Sequence, residues 1–259
     1  LTLSSDIISA GGAISATSGG SIIQNAALSS SGGAITVTAG DDFSQTTSST
    51  TDSSSAGDTG TVSITVENNL LSDKIISDGA VTITATSGSI TALDSITSQV
   101  GDITLTSAGQ ISQFNGSNFS TASTGGISLS SSAIISSAAM SASGSGNIDL
   151  NATAGNITMH SSSSALAGGF IHLSANSASL TSNNLSTTNG GEITLSSQNA
   201  LVANAGITAS GIGAVSLTSS SASVSIAGSV DAGEGNISIT ADQSVIQSSA
   251  ASVQTAGSG

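Results

Sequence analysis

The fold is decided by a short phrase, Gly191-Glu192-Ile193-Thr194-Leu195-Ser196, in which a glycine and one variable residue precede alternating apolar and polar residues. The phrase recurs throughout the 259-residue chain, and we call the Ile or Val two places after each glycine an anchor. The anchors are Ile14, Ile35, Val62, Val81, Ile103, Ile127, Ile148, Ile171, Ile193, Val215 and Ile237. Their glycines are Gly12, Gly33, Gly60, Gly79, Gly101, Gly125, Gly146, Gly169, Gly191, Gly213 and Gly235. The mean step of about 22 residues is typical of a solenoid.

Two further apolar clusters lie between successive anchors, and their spacing leaves room for a short strand and a turn but not for a helix. The pairs are Ile90 and Ile96, Ile111 and Phe119, Ile134 and Met140, Ile157 and Leu166, Leu180 and Leu185, Leu201-Val202 and Ile207, and Val224 and Val230. The sequence therefore predicts an all-β parallel solenoid with three short strands per coil. Eleven to twelve coils, stacked about 4.8 Å apart, would form a rod on the order of 55 Å long.

Side chains alternate along a strand, so each anchor and the residue two places later should point inward. Ile193 and Leu195 illustrate the pair, and its equivalents in neighbouring coils would stack into two aliphatic ladders. One coil cannot bury its apolar face alone, so stability must come from neighbouring coils. The absence of proline agrees, because proline would remove a hydrogen bond between coils. We expect each anchor's glycine to turn a corner with positive φ.

One stretch interrupts the repeat. Residues Thr46 to Thr59 are almost wholly Ser, Thr, Asp and Gly, and this coil is lengthened to 27 residues, so we predict an inserted loop over 46–59. The next coil has 19 residues and carries Lys74, the single basic residue. The chain begins at Leu1 without a methionine and ends at Gly259, 24 residues after Gly235. We therefore interpret residues 1–259 as one solenoid segment cut from a longer repetitive protein.

Composition narrows the range of partners. The net charge of −14 leaves no basic patch for nucleic acid, and it disfavours attraction to an anionic membrane surface. No apolar run is long enough for a membrane-spanning helix. The chain has no cysteine, so it has no disulfide framework and no cysteine-based metal site. Its 61 serines and 30 threonines would suggest disorder if the apolar residues were not regularly spaced.

Short Ser-, Thr-, Gly-, Asn- and Ala-rich coils with a G-x-[IV]-x-[LIV]-[ST] phrase and no cysteine resemble the shafts of filamentous-haemagglutinin-like exoproteins. These are large bacterial surface and secreted adhesins. The resemblance implies a right-handed parallel β-helix, an extracellular or cell-surface location and a mechanical role. The family's amino-terminal secretion cap is not recognisable in this sequence, which leaves the secretion route open.

Parallel β-helices also carry carbohydrate-active enzymes, so carboxylate pairs need consideration. A hydrolase requires two carboxylates close together. Asp102 and Glu192 each precede an anchor but lie four coils apart, roughly 19 Å. Asp41 is adjacent to Asp42, and Asp231 lies near Glu234. A lyase generally needs a basic residue, and the chain has no arginine and one lysine. We therefore predict no catalytic residues.

Metal sites are also unsupported. His160 and His172 flank one coil, but a third ligand at suitable spacing is missing. His172 occupies an outward position where other coils carry Ser or Thr, so we interpret it as an exposed polar residue. Calcium could be held in or near the inserted loop, although no G-G-x-G-x-D repeat accompanies the candidates Asp41, Asp42, Asp52 and Asp58. We predict no metal and no cofactor.

The outward residues of the anchor strands form a row of Ser and Thr. Three coils carry Thr-x-Thr, namely Thr36/Thr38, Thr82/Thr84 and Thr104/Thr106, and Asp149 and His172 interrupt the row. Such an array could bind ice or a glycan, whereas the simpler interpretation is a soluble β-surface. Six N-x-[ST] sequons are present, beginning at Asn115, Asn118, Asn151, Asn156, Asn184 and Asn236, and their glycosylation is an open alternative.

The sequence thus favours a non-catalytic shaft of an extracellular adhesin or surface filament. The alternatives are a ligand-binding solenoid and, less favoured, a β-helix enzyme. Two kinds of partner are compatible with a shaft. Exposed strand edges could pair coils of successive copies end to end into a fibre, and a host or neighbouring-cell surface could supply a ligand.

Overall fold

The protein is a β-solenoid built from three parallel sheets. The computed structural model describes residues 1–55 and 59–256, and within these ranges every regular element is a strand. The chain passes through the first, second and third sheets in turn and then repeats the circuit about 22 residues later, so each strand pairs with its equivalent in the next coil. The sheets contain 12, 12 and 11 described strands. The prediction of three short strands per coil is confirmed.

Strands of the first and second sheets are mostly three or four residues long. The first sheet comprises Thr2–Leu3, Ile22–Gln24, Phe43–Gln45, Leu70–Ser72, Ile90–Ala92, Gln110–Gln113, Ala133–Ser136, Ile157–Met159, Leu180–Ser182, Leu201–Ala203, Val224–Ile226 and Val245–Gln247. The second comprises Ile7–Ser9, Leu28–Ser30, Thr50–Asp52, Lys74–Ser77, Ile96–Ser98, Phe119–Thr121, Ala139–Ala142, Ser164–Ala167, Asn184–Thr187, Ile207–Ala209, Val230–Asp231 and Val253–Gln254.

The third sheet contains the anchors. Its five-residue strands are Ile14–Ser18, Ile35–Ala39, Val62–Val66, Val81–Ala85, Ile103–Ser107, Ile127–Ser131, Ile148–Ala152, Ile171–Ala175, Ile193–Ser197, Val215–Ser219 and Ile237–Ala241. All eleven anchors pair in register, from Ile14 with Ile35 to Val215 with Ile237. The predicted column of equivalent residues is therefore confirmed.

The core is the space enclosed by the three sheets, and it is filled by the predicted aliphatic ladders. Ile148 and Leu150 are both fully buried, as are their counterparts in the adjacent coils. Leu166, named above as part of an apolar cluster, points outward: it is 43% exposed, and Ala165 occupies the inward place beside Met140 and Leu185. The two residues are adjacent in a strand, so alternation places one inside and the other outside.

The glycines before the anchors have a different role from the one predicted. Their φ angles are not positive; positive φ occurs instead at other glycines, such as Gly190 and Gly211. A Cβ atom added at Gly191 would overlap the carbonyl oxygen of Gly169 in the preceding coil, and Gly125 is similarly close to Gly101. Glycine is therefore required because backbones of successive coils approach closely at this corner.

Buried polar side chains satisfy the backbone at the other corners. Gln113 is 1% exposed; its Nε2 donates to the carbonyls of Ser117 (2.8 Å) and Ala139 (3.0 Å), and its Oε1 accepts from Ser136 (2.8 Å). The glycine corner has such a side chain as well: Ser98 Oγ lies 2.8 Å from the carbonyl oxygen of Gly79 and 2.6 Å from that of Gly101, and its hydroxyl proton can be donated to either. Buried polar groups with such partners stabilise a turn that would otherwise leave carbonyls unpaired.

The predicted inserted loop was wrong in part. Residues 46–59 include the strand Thr50–Asp52, which pairs with Leu28–Ser30 on one side and Lys74–Ser77 on the other. The additional length lies between Asp52 and Val62, where the chain passes from the second sheet to the third. Residues 56–58 of the predicted loop lie outside the described residues. The strand was not predicted because it contains no apolar residue; its inward residue is the buried Thr51.

Replacing Gly191 with alanine should destabilise the rod. We expect Gly191→Ala to lower the free energy of unfolding by roughly 1–3 kcal/mol, because the new methyl group forces two coils apart. Gly206→Ala is the matched control, since the nearest atom to its added Cβ is the Ser229 hydroxyl at 3.6 Å and its φ is not positive. Urea unfolding followed by circular dichroism measures both variants. Equal midpoints for the two would contradict the close-approach explanation.

Candidate functional site

The outward row of the third sheet is in register from coil to coil. Thr82 pairs with Thr104 and Thr84 with Thr106, so two Thr-x-Thr coils are adjacent. The third, Thr36/Thr38, pairs with Ser15/Thr17 on one side and Ser63/Thr65 on the other. The Thr array is thus a short patch within a longer Ser- and Thr-rich face.

Asp149 and His172 interrupt this row side by side. They are paired residues of adjacent strands, and His172 Nδ1 lies 3.6 Å from Asp149 Oδ1. Their side chains are 42% and 45% exposed, so solvent screens their interaction and its contribution to stability is small. The structure places His172 in the outward row, as predicted, with its side chain half-exposed.

An exposed aromatic ring lies beside this pair. Phe170 precedes the anchor Ile171 and is 38% exposed. It contributes to two shallow depressions on the outer face: one of about 240 Å³ is shared with His172 and Glu192, and one of about 230 Å³ is shared with Asp149. These depressions offer one aromatic surface flanked by carboxylates and hydroxyls. They can contact a small polar ligand but do not enclose it.

Two of the carboxylates considered for catalysis are far apart. Asp102 and Glu192 precede anchors separated by four strand spacings, about 19 Å, whereas glycosidase carboxylates lie about 5–9.5 Å apart. Asp102 accepts a hydrogen bond from the Gly126 backbone N–H at 2.7 Å and so supports the neighbouring turn. Asp231 likewise accepts from the Gly233 N–H at 2.8 Å, within its own turn.

The proposed calcium ligands occupy different parts of the coil. Asp41 and Asp42 lie between the third and first sheets, and Asp52 ends a strand of the second. Asp52 accepts from the backbone N–H of Ser54, and Asp58 is outside the described residues. In the part of the chain that the structure describes, no three His, Cys, Asp or Glu side chains are grouped closely enough to hold a metal ion.

His160 lies on a different face from His172. It directly follows the first-sheet strand Ile157–Met159, and its carbonyl accepts hydrogen bonds from Ser163 and Asn183. Its side chain lines a depression of about 230 Å³ together with Phe114 and Ile135. The two histidines therefore belong to separate surfaces.

Sequence reasoning missed the exposed phenylalanines. Phe170 and Phe114 both stand outside the aliphatic ladders, and Phe114 is 51% exposed. The available signal was positional: Phe170 is the variable residue of its repeat phrase, where neighbouring phrases carry Asn147 and Glu192. A large aromatic residue at an outward position is a stronger indication of contact than another serine.

Comparisons with protein-family models, curated proteins and solved structures gave no match. The fold therefore defines the class, a three-sheet parallel β-solenoid, and the arguments about function rest on this chain's own residues. Within the described ranges there is no helix of the length and apolarity needed to cross a membrane.

Hydrogen bonding lowers the pKa of one carboxyl. The Ser21 hydroxyl donates to Asp41 Oδ2 at 2.8 Å and the Asn68 amide donates to Oδ1 at 2.6 Å, so both favour the ionised form and the Asp41 pKa lies below its ordinary 3.8. The resulting stabilisation is present above the ordinary pKa and is lost as the pH falls through the lowered value.

Ser21→Ala should therefore raise the Asp41 pKa toward 3.8, because the larger of the two favourable hydrogen bonds is removed. Titration of the carboxyl ¹³C resonance by NMR measures the shift. Ser29→Ala, at an outward position of the second sheet, is the control that should leave it unchanged. An unaltered Asp41 pKa in Ser21→Ala would refute the assigned cause.

Proposed function

We propose that this chain is the non-catalytic β-solenoid shaft of a bacterial extracellular adhesin or surface filament. The observation that carries the proposal is the unbroken hydrogen-bonded ladder, in which every anchor from Ile14 to Ile237 pairs with the next. The core beneath it is continuous. A rod of this kind resists bending along its length and holds whatever lies at its tip away from a surface. The sequence resemblance to filamentous-haemagglutinin-like shafts supports the same role.

The composition suits a protease-exposed setting. Lys74 is the single lysine or arginine, so trypsin has one cleavage site in the chain. Lys74 begins a strand that pairs on both sides, with Thr50–Asp52 and with Ile96–Ser98. Cleavage there requires local opening of the ladder, because a protease needs an extended, unpaired segment.

The shaft proposal predicts that one coil can be removed without loss of function. Deleting residues 171–192 joins Phe170 to Ile193, keeps the Gly-x-Ile phrase and places Ile193 beside Ile148 in register. A spacer one coil shorter should still appear as a surface filament in immunogold electron microscopy of the producing cells. Leu150→Asp, which buries a carboxylate in the ladder, should abolish the filament.

Cells without the gene provide the control for antibody specificity. Label confined to the cell interior would overturn the extracellular proposal. If the one-coil deletion eliminated the filament as completely as Leu150→Asp does, the chain would not act as a simple spacer.

A second candidate function is glycan binding by the outer face of the third sheet. The observation that favours it is Phe170, whose exposed ring is flanked by polar side chains in two adjoining depressions. The ring could pack against the apolar face of a sugar, while Glu192 and His172 accept or donate hydrogen bonds. The carboxylates on this face would disfavour uronic acids and sulfated sugars.

A glycan-array screen tests this candidate with the wild-type chain, Phe170→Ala and the matched control Phe114→Ala. Glycan binding predicts signals for neutral or amino sugars that fall at least tenfold in Phe170→Ala and persist in Phe114→Ala. No binding by the wild type, or equal loss in both variants, would dismiss it. Ice binding by the short Thr patch would instead appear as thermal hysteresis.

A further inference from the structure

The outer face of the first sheet differs from the other two because the twelve strands that the structure describes in it contain no charged residue. The second sheet carries Asp52, Lys74 and Asp231, and the third carries Asp149 and His172. The chain has 15 acidic residues and a net charge of −14, so this absence is not a general property of its surface. We call the outward side chains of the first sheet the uncharged face.

Five aliphatic residues lie on the uncharged face. Continuous pairing from Ile23 through Ser225 to Ile246 places one outward residue per coil in a single column. The aliphatic members are Ile23, Leu71, Ile135, Val202 and Ile246. The others are Ser or Thr. Ile23 and Ile246 are 43% and 54% exposed.

The order of these residues is symmetric about Ile135. Leu71 lies three strands before it and Val202 three strands after it, and Ile23 and Ile246 lie five strands away on either side. Six of the hydroxyl positions obey the same symmetry, whereas Thr2, which pairs with Ile23 at the end of the column, has no counterpart. They pair as Ser44 with Ser225, Thr91 with Thr181 and Ser112 with Thr158.

We propose that two copies of the chain pair side by side through their uncharged faces, with antiparallel rod axes and a two-fold axis at Ile135. A two-fold interface brings residue i against residue j and j against i, which a palindromic column satisfies. Ile135 then meets its own copy, Leu71 of one copy meets Val202 of the other, and each hydroxyl meets a hydroxyl. The opposite, parallel orientation would not use this symmetry.

One pair of residues at the margin of the face lies at symmetric positions. Phe114 follows the strand before that of Ile135, and His160 follows the strand after it, at equivalent register positions. Both are exposed, and the depression of about 230 Å³ between them includes Ile135. The two-fold axis therefore places Phe114 of one copy against His160 of the other, twice per pair.

Charge and area identify the occupant as a second copy. Two chains with a charge of −14 repel, and the uncharged face, which Asp42 borders beside Leu71, has fewer charged strand residues than the other two faces. A basic partner would be attracted to the acidic surfaces instead. Eleven coils spaced at about 4.8 Å, with strands about 10 Å long, give a contact area of roughly 500 Å² on each copy. The total of about 1,000 Å² is at the lower limit for a specific interface, so the pairing should be weak and concentration-dependent.

Sedimentation equilibrium at increasing protein concentration tests the pairing. We expect the mass to rise from 24.5 kDa toward twice that value. Ile135→Asp should weaken dimerisation at least tenfold, because it places like charges face to face at the axis. Thr97→Asp, an outward change on the second sheet, is the matched control and should dimerise as the wild type does. Circular dichroism and thermal melting verify that both variants are folded.

A charge-swap experiment tests the antiparallel register. Leu71→Asp and Val202→Lys should each weaken the dimer, and the double variant should restore it, because each introduced carboxylate then faces an introduced ammonium group. A monomer at every concentration, or a dimer unaffected by Ile135→Asp, would overturn the proposal. A dimer that the double variant fails to restore would overturn the antiparallel arrangement.

This pairing would join shafts laterally, so its biological meaning rests on the proposed shaft function. The dimerisation measurement itself does not. Purified protein that dimerises as described while the cellular label is intracellular would overturn the shaft function alone. A surface filament formed by Ile135→Asp protein that is monomeric in solution would support the shaft function, and it would show that lateral pairing is dispensable for display.

Discussion

The structure depends on one constraint: each coil must return to its starting point directly above the previous coil, in register, so that its backbone groups pair on both sides. The amide of Ile127 donates to the carbonyl of Asn147 at 2.8 Å, and the amide of Ile148 donates to that of Phe170 at 2.9 Å, which shows how one coil continues into the next. The glycine corner enforces this register, because only a residue without Cβ allows the backbones there to stack. This register determines which residues elsewhere in each coil face the core and which face solvent.

Register also separates the inside from the outside. Because alternate residues face opposite ways, inward residues must be apolar or must have hydrogen-bond partners inside the rod. Gln113, at the turn between the first and second sheets, has such partners. Outward positions are free of that requirement and vary among Ser, Thr, Asp, His and aliphatic residues. Outward positions that are not Ser or Thr are therefore the best indication of where the rod contacts other molecules. On the first sheet they form a symmetric aliphatic column, and on the third they surround Phe170.

Much of the fold could be predicted from the sequence because the repeat is both local and frequent. The anchors required only a glycine and two alternating apolar residues, and all eleven were placed in one column. Alternation alone could not decide between Ala165 and Leu166, since the register of that short strand is set by its neighbours. The strand at Thr50–Asp52 was hidden because its inward residue is a threonine. The role of the anchor glycines could not be predicted, because a close approach between coils is a property of the assembled structure.

The surface features were harder still to predict, since Phe170 and the symmetric column stand out only once the faces are defined.

A stacked solenoid requires that backbone hydrogen bonds join the strands of successive coils. Scalar couplings across hydrogen bonds, measured by NMR on the deuterated protein, detect these bonds one at a time. We expect a coupling between the Ile148 amide nitrogen and the Phe170 carbonyl carbon, and another between the Ile171 amide nitrogen and the Glu192 carbonyl carbon, where the N···O distance is 2.9 Å. If these amides were instead coupled to carbonyls within their own coil, or exchanged freely with solvent, the stacked solenoid would be contradicted.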